Sequence, residues 1–257
     1  MKKLPETSFS APEAQPYFHQ GGEHGVVLLH GFTGSCAHMR LIAEALAEND
    51  FTVRTFNLPG HATRMEDMRA CRWTDWLDAA RAQVEDMRSR CRYVSVAGLS
   101  MGGVITLLLA AELPLTAAVP ISAPMAAQNR LLPFAKYVAP LVPVIAWGNG
   151  DERLAQLDER YNLGYAGFPT RSGDDLHQLI RRARAGLSGV TCPLLVVQSH
   201  GDETIAPASA DIIMQGVSSR KKRTLWLDGV PHVCTISPEH GRIAQTMVAW
   251  LRDAENA

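Results

Sequence analysis

The sequence is poor in the features that mark disulfide-stapled or membrane-spanning proteins. No apolar h-region follows the first residues, so we expect no signal peptide. The most apolar stretch, residues 131–148, carries Lys136 and three prolines, which makes it a poor membrane span. Cysteines are few, odd in number and irregularly spaced without a C-x-x-C pair, which predicts reduced thiols and a cytoplasmic location. The five cysteines are Cys36, Cys71, Cys91, Cys192 and Cys234.

An excess of charge of one sign is also absent. The formal net charge is −1 over 257 residues, which gives no reason to expect nucleic acid or an anionic membrane as a partner. The single charge run, Arg220–Arg223, is interpreted as a solvated loop before a strand, with a weak anion site as the alternative. The length suits one large domain with a substantial core, while the oligomeric state stays open.

Short apolar runs alternate along the chain with segments of helical periodicity. Several runs are continuous, which is typical of parallel strands covered on both faces. The pattern therefore predicts an α/β fold with a mostly parallel central sheet, helices on both faces and a strand or two from the N-terminal residues at the sheet edge. The predicted strands are 26–29, 51–56, 93–97, 117–121, 194–198 and 224–227. The predicted helices include 38–48, 73–87 and 241–251.

The alternation breaks once, between the strand that ends near Ser122 and the strand that begins near Leu194. About seventy residues separate the two strands, which is too long for a single crossover helix. We interpret residues 124–175 as an inserted cap, and residues 1–123 and 176–257 as the core.

The most informative motif is G-x-S-x-G at residues 98–102, between a predicted strand and a helical run. This pattern is typical of a nucleophile elbow, a turn so tight that the serine is strained and its hydroxyl is exposed at the top of the sheet. Glycines at positions 98 and 102 avoid collisions, and Gly103 lets the helix lie close to the strand. Ser100 is therefore the candidate nucleophile; the alternative is a glycine-rich turn with an incidental serine.

A serine nucleophile needs a base, and the base needs an acid that holds its tautomer. In folds with this elbow the acid and the histidine follow the serine, at the carboxyl ends of later strands. Asp202 follows the fifth predicted strand, with its neighbour Glu203 as the weaker alternative, and His232 follows the sixth. We interpret His200 as a residue that lies beside the acid and could support it, and His240 as a surface or capping residue.

Two backbone N–H groups are needed to bind the oxyanion that forms when a serine attacks a carbonyl carbon. The N–H of Met101, at the start of the helix, is one predicted donor, and the N–H of Phe32, in the loop 30–34, is the other. Each donor is worth roughly 3–4 kcal/mol of transition-state stabilisation. The other interpretation of the loop 30–34 is an ordinary strand-to-helix turn that needs glycine, and the two interpretations are compatible.

Motifs from residue 25 to the C-terminus resemble those of the α/β-hydrolase superfamily, and within it bacterial carboxylesterases and monoacylglycerol lipases with a small cap. The motifs are HGFTG at 30–34, LPGH at 58–61, GLSMGG at 98–103, GD followed by P at 201–207, and PHV at 231–233. The resemblance implies an α/β-hydrolase fold with Ser100, Asp202 and His232 as the catalytic triad and with Phe32 and Met101 as oxyanion donors. It further implies a small-molecule ester as substrate and neither a metal nor an organic cofactor.

Two features of the sequence depart from the family pattern. Residues 230–231 are Val-Pro where the family often has Ser-Gly, and the predicted cap is rich in proline. In the family the insert covers the acyl pocket, so the apolar cap residues are candidates for substrate contact, with packing of the cap onto the core as the alternative. We single out Trp147, Leu141 and Ile145; the others are Leu131, Leu132, Phe134, Val138 and Val142.

These observations predict a serine hydrolase that cleaves carboxylic esters, either short- to medium-chain acyl esters or monoacylglycerols. An acyltransferase or a thioesterase would use the same triad. A ligand-binding receptor on the same fold is a further alternative, because fold does not prove function. A haloperoxidase or a C–C bond hydrolase is less favoured.

Overall fold

The structure, a computed structural model, describes residues 4–5, 7–125, 137, 139–147 and 155–256. Its strands are Tyr17–His19 (β1), His24–Leu29 (β2), Thr52–Thr55 (β3), Tyr93–Leu99 (β4), Ala117–Ile121 (β5), Val144–Ala146 (β6), Gly167–Pro169 (β7), Leu194–Ser199 (β8) and Lys222–Leu227 (β9). Seven of these strands form one sheet, in the order β1-β3-β2-β4-β5-β8-β9, and β6 pairs with β7 in a second sheet. β1 is antiparallel to β3, and every other neighbour in the large sheet is parallel.

The helices of the described residues cover both faces of the large sheet, as the alternation of patterns predicts. These helices are Ala37–Glu48 (α1), Met65–Ala70 (α2), Trp73–Arg88 (α3), Met101–Glu112 (α4), Thr170–Gly186 (α5), Ala208–Gly216 (α6) and His240–Ala254 (α7). α1 packs against α7 on one face, and α4 packs against α3 and α5 on the other.

The sheet separates two hydrophobic cores. Along β2, Val27 and Leu29 belong to the core under α3, α4 and α5, whereas Val26 and Leu28 belong to the core under α1 and α7. Successive side chains of a strand point to opposite faces, so both sets are buried only when helices cover both faces. This explains why β2, β5 and β8 are buried at every position and why each contains an unbroken run of apolar residues.

Residues 124–175, which we interpret as a cap, contain the small sheet and the beginning of α5. β6 and β7 pair antiparallel, with Ile145 opposite Phe168. α5 crosses the predicted boundary at residue 175 and packs against α4, so the division into core and cap stays a prediction. Residues 131, 132, 134 and 138, which we named as candidates for substrate contact, lie outside the described residues.

The five cysteines are free thiols, and the cytoplasmic location inferred from them stays a prediction. Burial raises the pKa of Cys36 and Cys192 to about 11 and that of Cys234 to about 12. A thiol with such a pKa is almost entirely protonated near neutral pH and is a poor nucleophile. Within the described parts of the chain, no helix combines the length and the apolar character that a membrane crossing requires.

Candidate active site

Ser100 lies between the end of β4 and the start of α4, in a backbone conformation that non-glycine residues rarely adopt. Its φ is +55° and its ψ is −116°. Such a conformation costs on the order of 1–3 kcal/mol and persists only where the surroundings hold it. The N–H of Ser100 donates to the carbonyl of Ile121, on the neighbouring strand β5, at 2.8 Å, which anchors the elbow to the sheet.

The glycines of the motif are needed because the elbow is packed on every side. A Cβ at position 98 would overlap the carbonyl group of Gly102. A Cβ at position 102 would lie 2.7 Å from the carbonyl oxygen of His30, and one at position 103 would lie 2.8 Å from Ala123 Cβ. Real Cβ atoms essentially never approach that closely. The steric reason that the sequence suggests for these glycines therefore matches the observed packing.

A chain of hydrogen bonds joins Ser100, His232 and Asp202. Nε2 of His232 is 2.9 Å from Oγ of Ser100, and Nδ1 of His232 is 2.8 Å from Oδ2 of Asp202. A carboxylate only accepts hydrogen bonds, so Nδ1 carries the proton and Nε2 is left to accept the proton of the Ser100 hydroxyl. The three residues come from three separate loops at the carboxyl ends of β4, β8 and β9.

Asp202 and Glu203 have different partners. Oδ1 of Asp202 accepts from the N–H groups of Thr204 and Ile205, both at 2.9 Å, which leaves Oδ2 directed at the imidazole. Glu203 instead accepts from the backbone N–H of His232 at 3.0 Å. The geometry thus assigns the ring contact to Asp202, and it gives Glu203 a place beside the histidine that the sequence did not suggest.

The pKa values of His232 and Asp202 shift in opposite directions. Burial lowers the pKa of His232, but the Asp202 carboxylate and the charge of Glu203 outweigh burial, so the pKa is raised from its ordinary 6.5. Burial raises the pKa of Asp202, but its contact with His232 and its two backbone N–H bonds outweigh burial, so that pKa is lowered from 3.8. The acid is therefore ionised whenever the base is ready to accept a proton.

The two predicted oxyanion donors border Ser100. Met101 is the first residue of α4, so its N–H has no carbonyl partner within the helix. Across from it, a Cβ built at Gly31 would lie 3.2 Å from Ser100 Cβ, which brings the loop 30–34 against the nucleophile. No backbone hydrogen bond among the described residues uses the N–H of Phe32. Within the part of the chain that the structure describes, both N–H groups are thus left without a backbone acceptor beside Ser100, as the predicted oxyanion site requires.

His30 fixes the start of the loop 30–34, called the oxyanion loop after the N–H donor predicted in it. The sequence did not reveal this role of His30. Its Nε2 accepts from the N–H of Leu58 at 3.0 Å, so Nδ1 carries the proton and donates to the carbonyl of Gly31 at 2.8 Å. The residue is fully buried, and burial lowers its pKa to about 4. A neutral imidazole of one tautomer therefore holds the loop, and the His-Gly pair at residues 30–31 is the sequence signal that could have revealed this role.

Two other buried histidines, His38 and His61, lie beside this loop, and the sequence analysis gave neither a role of its own. Burial lowers the pKa of His38 and of His61 to about 3. The ring of His61 lies 5.0 Å from that of His30, and His38 lies under Gly34. The loop 30–34 is thus packed against imidazoles that are neutral near neutral pH.

The predicted substrate contacts lie at different depths. Trp147 is 44% exposed, and its ring packs against Phe168 at a centroid distance of 4.8 Å and faces Phe32 at 6.4 Å. Ile145 is half-buried in β6, whereas Leu141 is 86% exposed. Contact of these three residues with substrate stays a prediction.

The two histidines set aside at the sequence level lie apart from the hydrogen-bonded chain. His200 is exposed, stacks on Trp226 and contacts Asp228 at 2.8 Å through Nδ1. His240 is the first residue of α7, and its Nδ1 is 2.8 Å from the carbonyl oxygen of Ser237. His240 thus lies at the start of the final helix, as expected, but Glu239 and not His240 occupies the N-cap position.

The sheet order, the elbow and the loops at the carboxyl ends of the strands together define an α/β-hydrolase. The chain belongs to the family described as serine aminopeptidase, S33, whose model matches residues 23–239. A thermostable monoacylglycerol lipase of Bacillus sp. (strain H-257) is 34% identical to it, with 93% of this chain and 94% of the relative covered. A carboxylesterase of Bacillus subtilis (strain 168) is 28% identical, with 92% of this chain and 96% of the relative covered.

The solved structures agree with the relatives. A structure from work on LipS and LipT, two metagenome-derived lipolytic enzymes, matches with a TM-score of 0.89 and 29% identity. The match covers 95% of this chain and 99% of the other. The predicted fold class and the resemblance to esterases and monoacylglycerol lipases are therefore confirmed.

Proposed function

We propose that the protein hydrolyses carboxylic esters through an acyl-enzyme on Ser100. The observation that supports this most directly is the unbroken line of hydrogen bonds from Ser100 Oγ through His232 to Asp202, at 2.9 and 2.8 Å. Membership of a serine-hydrolase family and the named relatives point to the same reaction class.

In the first half of the reaction, Ser100 Oγ attacks the ester carbonyl carbon while Nε2 of His232 takes the hydroxyl proton. The carbonyl oxygen becomes an oxyanion and accepts hydrogen bonds from the N–H groups of Met101 and Phe32. His232 then gives its proton to the leaving alcohol as the carbon–oxygen bond of the ester breaks. A water molecule, deprotonated by His232, repeats the sequence on the acyl-enzyme and releases the carboxylic acid.

We propose short- to medium-chain acyl esters or monoacylglycerols as the substrate class. One relative is named a monoacylglycerol lipase and another a carboxylesterase, and both cover more than nine-tenths of this chain. The aromatic side chains of Phe32, Trp147 and Phe168, which contact one another beside the oxyanion loop, offer an apolar wall to an acyl group.

The test is a series of p-nitrophenyl esters from acetate to palmitate, with 1-monoacylglycerols of the same chain lengths. Ser100→Ala is expected to lose acyl transfer by at least about 10⁴-fold, because the nucleophile is absent. Ser89→Ala, at an exposed serine after α3, is the matched control and keeps wild-type turnover. Circular dichroism of Ser100→Ala shows whether the fold is retained.

Several outcomes separate the alternatives. Turnover retained in folded Ser100→Ala contradicts the acyl-enzyme. A burst of p-nitrophenol equal to the enzyme concentration supports it. Products with added alcohols distinguish a transferase from a hydrolase, and thermal stabilisation by an ester without product indicates a receptor. An aminoacyl p-nitroanilide, included because of the family description, tests for peptidase activity.

A further inference from the structure

The oxyanion loop contains a strained residue next to its predicted donor. The four residues Gly31–Gly34 form a turn, closed by the N–H of Gly34 donating to the carbonyl of Gly31 at 3.1 Å. Thr33 is the third residue of this turn and has a φ of +65°. The third position of a type II turn requires a positive φ and normally holds glycine or asparagine, whereas a β-branched residue there is an outlier. Contacts from elsewhere must therefore hold Thr33 in place.

Those contacts come from the two segments that flank the small sheet. The N–H of Tyr165 donates to the carbonyl of Thr33 at 2.9 Å, and Nε1 of Trp147 donates to Oγ1 of Thr33 at 3.1 Å. Two residues further on, the hydroxyl of Ser35 donates to the carbonyl of Leu163 at 2.8 Å. The oxyanion loop is thus bound to residues more than a hundred positions away. Of these distant residues, Trp147 binds the side chain of Thr33 through its own side chain.

Trp147 is itself held firmly enough to position another group. Its backbone N–H donates to the carbonyl of Ala166 at 3.0 Å, beside β6 and β7. Its ring packs on Phe168, and Phe168 in turn packs on the ring of Phe32 at a centroid distance of 5.3 Å. The indole therefore reaches both Thr33, through its N–H, and the side chain of Phe32, through its ring.

We propose that Trp147 is a positioning residue for the oxyanion hole. Its Nε1–H bond to Thr33 holds the turn so that the N–H of Phe32 points to the oxyanion above Ser100. This inference rests on the proposed function. Because the oxyanion exists only in the transition state, loss of the bond lowers kcat and leaves KM nearly unchanged, whereas loss of a substrate contact would raise KM.

The experiment is a double-mutant cycle on p-nitrophenyl ester hydrolysis. Trp147→Phe keeps an aromatic ring but removes the N–H, and Thr33→Ala removes the acceptor hydroxyl. Each variant is expected to lower kcat about fivefold, the effect of one neutral hydrogen bond. The double variant should be no slower than either single variant, since both remove the same bond. Thr33→Ser, which keeps the hydroxyl, should stay within about twofold of the wild type.

Trp250→Phe is the matched control for the loss of an indole. Trp250 is nearly buried in α7, and its Nε1 has no hydrogen-bond partner within the described structure. Wild-type kcat in Trp250→Phe, together with the losses in Trp147→Phe and Thr33→Ala, supports the inference.

Several results overturn the inference. An unchanged kcat in Trp147→Phe, an increase in KM alone, or additive losses in the double variant each contradict positioning through Thr33. If Trp147→Phe fails to fold, the comparison of Thr33→Ala with Thr33→Ser decides, and equal kcat in these two variants overturns the inference. Absence of ester turnover in the wild type would instead refute the proposed function, and the inference with it.

Discussion

At the scale of single residues, the two neighbouring carboxylates act on different atoms of His232. Asp202 accepts from the ring, whereas Glu203 accepts from the backbone N–H and lies close enough for its charge to raise the pKa of the ring. We therefore expect Glu203 to affect the pH range of activity and Asp202 to determine the tautomer of His232.

We predict that Glu203→Gln extends activity to lower pH. The base must be neutral, so kcat/KM falls as pH drops through the pKa of His232, which lies above 6.5 in the wild type. Glutamine keeps an acceptor for the N–H of His232 but removes the negative charge that stabilises the imidazolium. The pKa of His232 then falls, and the midpoint of the acidic limb of a kcat/KM profile moves to lower pH. A midpoint that is unchanged or higher contradicts the assigned role.

Asp202→Asn is the contrasting variant. An amide in place of the carboxylate donates as well as accepts, so the imidazole no longer keeps the proton on Nδ1. We predict a fall in kcat of about 10⁴-fold, the effect of this change in other serine hydrolases, compared with less than about tenfold for Glu203→Gln at its optimum. Comparable losses in both variants would contradict the separation of the two carboxylates.

At the scale of elements, the buried strands of the large sheet were predictable from sequence, whereas β6 and β7 of the small sheet and several helices were not. β2, β4, β5 and β8 lie within two residues of the predicted runs, because a strand buried on both faces is a continuous apolar run. The short helix α6 and the long helix α5 were not predicted, since polar residues and glycine interrupt the apolar face of α5. The tight turn at Ser100 was predictable because a local motif encodes it.

Contacts across the chain account for the rest. The bond between Trp147 and Thr33 joins residues 114 positions apart, and neither residue lies in a periodic pattern that would place them together. The tautomer of His30 likewise depends on the N–H of Leu58, which arrives from a different loop. Local sequence specifies neither the Trp147–Thr33 bond nor the tautomer of His30, because both depend on how the folded elements pack together.

The glycines of the elbow give a prediction at this scale. Gly102→Ala places a Cβ against the carbonyls of Leu29 and His30, which are backbone atoms of β2 and its loop and have little freedom to move. We expect a loss of unfolding free energy of about 1–3 kcal/mol or more, measured by urea denaturation, together with lower kcat. Gly241→Ala, in α7 with open space around its Cβ, is the control and should gain about 0.4–1 kcal/mol.

If Gly102→Ala is as stable as the wild type, the close approach of α4 to β2 is not a constraint on the fold. If Gly241→Ala also loses stability, the losses reflect alanine substitution in general and not the elbow.

At the scale of the whole molecule, three buried neutral histidines make stability depend on pH. The pKa values of His30, His38 and His61 are lowered by burial to about 4, 3 and 3, against an ordinary 6.5. Above pH 6.5 these groups are neutral in both states and contribute no pH dependence. Below pH 6.5 the unfolded chain binds protons that the folded chain does not, so stability falls as pH falls towards those lowered values.

We predict that each of these histidines contributes about 1.4 kcal/mol per pH unit to the loss of unfolding free energy between pH 6 and about pH 4.5. His61→Gln should therefore show a slope smaller by about that amount, measured by urea denaturation at several pH values. Its stability at pH 7.5 serves as the baseline, which separates the effect of titration from the effect of repacking. Parallel curves for the two proteins would contradict a neutral buried His61.

The order of strands in the sheet also bears on how the protein folds. Ser100 lies at the end of β4, whereas His232 follows β9 at the sheet edge, and their hydrogen bond spans 132 positions of the chain. Parallel strands joined by long crossovers form slowly, because loop-closure entropy is lost before the distant contacts form. Ser100 and His232 thus come together only after the last strand has docked. If the two residues act as proposed, the return of ester turnover after dilution from urea measures the rate of this last step of folding.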